Sequence, residues 1–322
     1  MENQYSDARK WNRSPKFYIT MIFLAGILMY ATQYFIIDAL LEGVFRIFGR
    51  EWLRIEWVKV LAYCGIYVLS IAIPGIFLLI VFRESPFAGW KLTTACPKFP
   101  FLFVPTAIGG LYVVNMAVNM MFGDLLAPFD TPMTADNFVK TPAAIALYFV
   151  YTAVLPALLE EWFFRGLVQK KLIPVFGNTA SILLSAFLFG IMHLDPAQSI
   201  FAFGFGLFAG YAYSATGSIW FGVMIHMLNN TIATGSGYWY YVFNVEAVQW
   251  AMSLFTLAMM AAGITGLIIY RTTGKKRRVN LVREERMLPG GAATFKMTVT
   301  NPCLYVMMGA YLTLLWLLYI AK

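Results

Sequence analysis

The chain has two histidines, His193 and His226, and both lie inside apolar sequence. His193 ends the run Phe189-Gly190-Ile191-Met192-His193, and His226 opens His226-Met227-Leu228-Asn229-Asn230. A third polar group, Glu160-Glu161-Trp162-Phe163-Phe164-Arg165, interrupts an apolar stretch just upstream. Carboxylates and imidazoles take protons from water, and imidazole and carboxamide N–H groups hold a developing oxyanion. Glu161 and Arg165 are four residues apart, so on a helix they share a face and can pair. Glu160 points about 100° away and lacks that partner, which leaves a carboxylate for base work. His226 and Asn230 also share a face, and together they offer two donors suited to an oxyanion hole. Interhelical hydrogen bonding is the structural alternative for this pair and the preferred reading of Asn229.

The elements that must position these groups are helices. Pro174-Val175-Phe176-Gly177-Asn178 reads as a helix stop and restart, giving a hairpin centred near residue 176. Glu160 and His193 lie at nearly equal sequence distances from that centre. At ~1.5 Å per residue both fall roughly 20 to 25 Å from the turn, so they could face each other across the hairpin. A lone histidine bonded to a neighbouring helix is the alternative for His193, and a single buried ion-pair cluster is the alternative for Glu160, Glu161 and Arg165.

Hydrophobic residues make up 60% of the 322 and charged residues 12%. A soluble core of this size cannot absorb so much apolar surface, whereas a bilayer solvates it. The expected fold is therefore all-α, a polytopic transmembrane bundle of 8–9 spans with a polar catalytic cavity in the middle helices. Nine segments qualify: 17–41, 58–82, 101–122, 144–170, 179–194, 197–214, 218–236, 247–270 and 303–321. They divide into N-terminal transmembrane helices (1–143), a motif-bearing core (144–236) and C-terminal helices (237–322) with a basic loop at 271–300. The net charge of +8 collects at segment ends and signals membrane orientation rather than nucleic acid. Most Lys and Arg fall on one side of the alternation, which predicts a multi-pass cell-membrane protein with a cytoplasmic N-terminus. The first outer loop mixes Arg46, Arg50 and Arg54 with Glu42, Glu51 and Glu56, and an interfacial amphipathic helix is the alternative there. Cys64, Cys96 and Cys303 form no metal or disulfide pattern.

The set Glu-Glu-x-x-x-Arg, Phe-x-x-x-His and His-x-x-x-Asn, in this order over 144–236, resembles the CPBP family. That family includes the type II CAAX prenyl endopeptidases and bacteriocin-processing or abortive-infection-like membrane proteins. The resemblance implies a membrane-embedded endopeptidase acting on a membrane-associated protein or peptide among lipids. Glu160 and His193 would activate water, His226 and Asn230 would hold the oxyanion, and Glu161 and Arg165 would orient the site. No cofactor is expected. Zinc held by Glu160, His193 and His226 is the minority alternative, since His-Glu-x-x-His is missing from the sequence. A non-catalytic immunity or scaffold protein is a further alternative. A proton-coupled transporter fits less well, because the charges cluster rather than line a path.

Overall fold

The computed structural model describes residues 13–87, 99–126, 139–242, 245–274 and 291–319. Cys96, Arg9, Lys10, the acidic stretch around Asp130 and most of the basic loop lie outside these residues. All regular structure among the described residues is helical. In chain order the helices are α1 (Pro15–Ala31), α2 (Ile37–Phe48), α3 (Glu56–Phe82), α4 (Phe99–Leu126), α5 (Pro142–Phe149), α6 (Leu155–Glu161), α7 (Lys170–Phe176), α8 (Asn178–Ile191), α9 (Pro196–Thr216), α10 (Trp220–Val242), α11 (Val245–Gly274), α12 (Gly291–Val299) and α13 (Pro302–Tyr319).

Among the described residues, five helical stretches are long and apolar enough to cross a membrane. They are Pro15–Ile47, Glu56–Phe82, Pro142–Phe176, Glu246–Gly266 and Pro302–Tyr319. The protein is a multi-pass membrane protein. Each of the nine expected segments falls on a helix, with ends displaced by a few residues. The first runs on past residue 41, through a wide turn at Thr32–Ile36, into α2. Arg46 and Arg50 there pair with Glu42, and Arg54 pairs with Glu51, so this loop carries little unbalanced positive charge. Helix α12 was not expected within 271–300.

One helical rod from Pro142 to Phe176 carries the first motif. It starts with Pro142 in the first turn, where a missing N–H costs nothing. It stops at Gly177, whose φ of +78° suits only glycine well, and α8 restarts at the next residue. Within the rod, Val150–Val154 and Trp162–Gln169 are π-helical, with hydrogen bonds lengthened by one residue.

Helix α8 returns along the rod, and α9 packs on α8 at small residues. A Cβ added to Gly206 would lie 2.7 Å from Ala186 Cα, and one on Gly190 would lie 2.8 Å from the Ser199 carbonyl oxygen. Close backbone approach at small residues is how membrane helices gain packing energy without a hydrophobic drive. Gly206→Val is therefore expected to lower stability by about 1–3 kcal/mol through overpacking. A reduced thermal midpoint in detergent would show it, and an unchanged midpoint would mean the α8–α9 seam is loose.

Candidate active site

Glu161, Arg165 and Gln169 form a buried polar ladder facing α9. Arg165 Nη1 donates to Glu161 Oε1 at 2.8 Å, so the expected pair forms even though the helix widens right after Glu161. Arg165 Nη2 reaches the Gly206 carbonyl at 3.3 Å, and Gln169 Nε2 donates to the Gly210 carbonyl at 2.8 Å and to Ser214 Oγ at 3.0 Å. The spacing of four on α9 thus matches the spacing of four on the rod. The Arg165 guanidinium also lies 4.8 Å from the Phe189 ring centre and 5.4 Å from that of Phe205. Aromatic faces attract a cation and suit the planar guanidinium.

His226, buried on α10, joins the ladder to Glu160. Its Nδ1 lies 3.3 Å from Glu161 Oε1, and its Nε2 lies 3.8 Å from Glu160 Oε2. A carboxylate can only accept, so Nδ1 carries a proton and Nε2 is the nitrogen turned to Glu160. The ring is held against Phe205 and Phe189, at 4.7 and 5.9 Å between centres. The Glu161 side chain fits because it lies over Gly222 of α10, where a Cβ would collide with its carboxylate. Residue spacing points to the Arg165 pair, and the Glu161 carboxylate serves both Arg165 and His226.

His193 follows the end of α8, in the bend into α9. Its Nδ1 lies 2.9 Å from the Phe189 carbonyl oxygen, which fixes the proton on Nδ1 and leaves the Nε2 lone pair free. The ring rests on Phe189, 4.9 Å between centres. Three features set the bend. Tyr30 of α1 donates to the Ile191 carbonyl at 2.6 Å, Leu194 takes a left-handed φ of +53°, and Asp195 Oδ1 caps the Gln198 N–H of α9. A leucine in the left-handed region is strained by about 1–2 kcal/mol, so the surroundings hold this bend in place. Ser185 Oγ donates to the Phe164 carbonyl at 3.0 Å, which sets the register of the hairpin. Glu160 meets His226 and Tyr67 directly, while His193 meets Phe189.

Asn230 lies one turn beyond His226 on α10. Its Nδ2 donates to the Thr152 carbonyl at 3.1 Å, and its Oδ1 accepts from Asn229 Nδ2 at 3.2 Å. The Thr152 carbonyl needs such a donor, because Pro156 has no N–H to return to the turn before it. Asn230 keeps one amide hydrogen for other use.

Helix α3 supplies a residue that sequence spacing did not single out. Tyr67 hydroxyl donates a hydrogen bond to Glu160 Oε1. Glu160 Oε2 is buried and, among the described residues, has no hydrogen-bond partner. Beyond the end of α3, Glu84 binds both Lys170 and Lys171. Burial pushes the Glu84 carboxyl up, but the hydrogen bonds and charges of the two lysines outweigh it, and its pKa is lowered. No group of three His, Cys, Asp or Glu side chains among the described residues is gathered as metal ligands are.

Residues 142–232 match the family model described as type II CAAX prenyl endopeptidase Rce1-like. This segment is similar to the CPBP proteases. It contains Glu160, Glu161, Arg165, His193, His226 and Asn230 and covers less than a third of the chain. No curated protein and no solved structure matches the chain. Tyr67, which touches the CPBP motif glutamate, lies outside the matched segment.

Proposed function

We propose that the protein is an intramembrane endopeptidase that hydrolyses a peptide bond in a membrane-associated protein or peptide. One observation carries the reading. Glu160 is held at Oε1 by Tyr67, while Oε2 is unpartnered and 3.8 Å from His226 Nε2. A water about 2.8 Å from both atoms would sit about 2 Å to the side of the line joining them. Glu160 takes a proton from that water as the oxygen adds to the scissile carbonyl, with His193 Nε2 as a second acceptor at the rim. The carbonyl oxygen becomes an oxyanion held by Asn230 Nδ2–H and by His226 Nε2–H, in a ring that carries both protons before water enters and keeps both throughout, its Nδ1–H on Glu161. Collapse of the adduct breaks the C–N bond, and the amine leaves with the proton held on Glu160. Glu161 and Arg165 fix His226 and the rod.

The matched family is named for CAAX prenyl endopeptidases, and a prenylated C-terminal peptide is the first substrate class to offer. The topology we propose has eight or nine spans, the N-terminus in the cytoplasm and a water-filled cavity among the middle helices. The cavity would open near Lys170 and Lys171, at the cytoplasmic end of the rod.

Quantitative proteomics of membranes carrying wild type or Glu160→Gln tests the reading. A precursor is expected to accumulate with the variant, and the purified wild type should cleave it after exhaustive chelation. Identical proteomes would favour the immunity or scaffold alternative. Activity lost on chelation and restored by zinc would recast Glu160, His193 and His226 as metal ligands.

A further inference from the structure

Helix α3 runs beside the motif rod along its whole length. At one end, Glu56 accepts from the backbone N–H groups of Lys140 and Thr141, the latter at 2.8 Å. Further along, Gly75 lies against the Trp162 ring so closely that a Cβ there would collide with it. Beyond the other end, Pro86 accepts from Trp162 Nε1 at 2.8 Å, and Glu84 binds Lys170 and Lys171. Pro74 sits inside α3 and leaves the helix one backbone donor short, while Ser70 Oγ donates to the Tyr67 carbonyl at 2.8 Å. Tyr67 thus sits on a helix clamped to the rod above and below it. Its ring stands edge-on to Tyr151 of the rod, 6.0 Å between centres, and its hydroxyl reaches Glu160.

We propose that Tyr67 is a positioning residue of the hydrolytic site, and that α3 therefore belongs to the catalytic unit although it lies outside the matched segment. This rests on Glu160 being the base. A carboxylate has two equivalent oxygens and rotates freely unless one is engaged. The phenol engages Oε1, which turns Oε2 toward His226 and keeps it free for water. A hydrogen bond to an ionised carboxylate is short and about twice as strong as a neutral one.

The test is Tyr67→Phe, which keeps the ring on Tyr151 and removes only the hydroxyl. Protein reconstituted in nanodiscs is studied by infrared spectroscopy at one fixed pH, and the Glu160 carboxyl band is assigned by its loss in Glu160→Gln. Tyr67→Phe should shift the frequency of that band, because the hydroxyl is bonded to one of its oxygens. Tyr63→Phe is the control. Tyr63 also packs on Tyr151, at 5.9 Å, but does not bond Glu160, and it should leave the band in place. With an accumulating precursor as probe, Tyr67→Phe should lower kcat by about ten- to a hundredfold with KM little changed. An unmoved band in protein of normal thermal stability would overturn the proposal. A moved band in protein that cleaves nothing would keep the Tyr67–Glu160 coupling and sink the peptidase reading instead. If Tyr67→Phe fails to fold, Tyr67→Gln restores a donor at the site. A wild-type band in that variant supports the proposal, and a band insensitive to any residue at 67 overturns it.

Discussion

Arg165→Ala is expected to cost about 3–5 kcal/mol of stability, which is enough to remove most folded protein. Arg165 is fully buried and holds Glu161, itself fully buried, through a 2.8 Å charge-assisted bond. Truncation would leave Glu161 with His226 as its remaining partner and would free the Gly206 carbonyl. Arg165→Lys should not rescue. One ammonium cannot reproduce a fork that reaches Glu161 and Gly206 from two nitrogens while its plane faces Phe189 and Phe205. The double variant Glu161→Gln/Arg165→Met removes both charges and keeps the volumes. It should recover most of the folded yield, because replacing a buried ion pair by neutral groups is often nearly neutral. It should not recover turnover, since Glu161 also orients His226. Folded yield by size exclusion, thermal midpoint and turnover separate these outcomes. A stable Arg165→Ala protein would show that the ladder is not the support it is taken to be.

The contrast between Glu161 and Glu160 shows what could be read from the chain alone. The Glu161–Arg165 pair was legible because it is local, four residues apart on one helix. The hairpin was legible because Pro174 and Gly177 announce it, and Gly177 does take a positive φ there. The helix-to-helix contacts were not legible. Tyr67 is 93 residues from Glu160, His226 is 65 from Glu161, and Asn230 is 78 from Thr152. In an apolar chain rich in tyrosine nothing marks Tyr67 out from Tyr63 one turn away. The π-helical segment was invisible for a different reason. Its wider turns depend on how the rod packs against its neighbours, which residue spacing does not report. The Asn230–Thr152 bond had a partial signal in Pro156, which had to leave some carbonyl without its donor.

Glu160→Gln should remove nearly all turnover while preserving the fold, because the amide can still accept from Tyr67 but cannot take a proton. His193→Ala should act likewise. Asn230→Ala should leave a residue of activity, since losing one oxyanion donor costs ~100- to 1000-fold. That variant carries a complication visible in the structure. Asn230 also serves the Thr152 carbonyl, so its loss strands a half-buried acceptor at a cost of about 1–3 kcal/mol. Pro156→Ala supplies a backbone N–H to the same turn of the rod. In the Asn230→Ala background it should restore the thermal midpoint. Turnover decides the role of the second amide hydrogen. If the double variant is stable and still ~100-fold or more impaired, Asn230 touches the reacting carbonyl. If turnover returns with the thermal midpoint, Asn230 only repairs the helix, and the oxyanion rests on His226 alone.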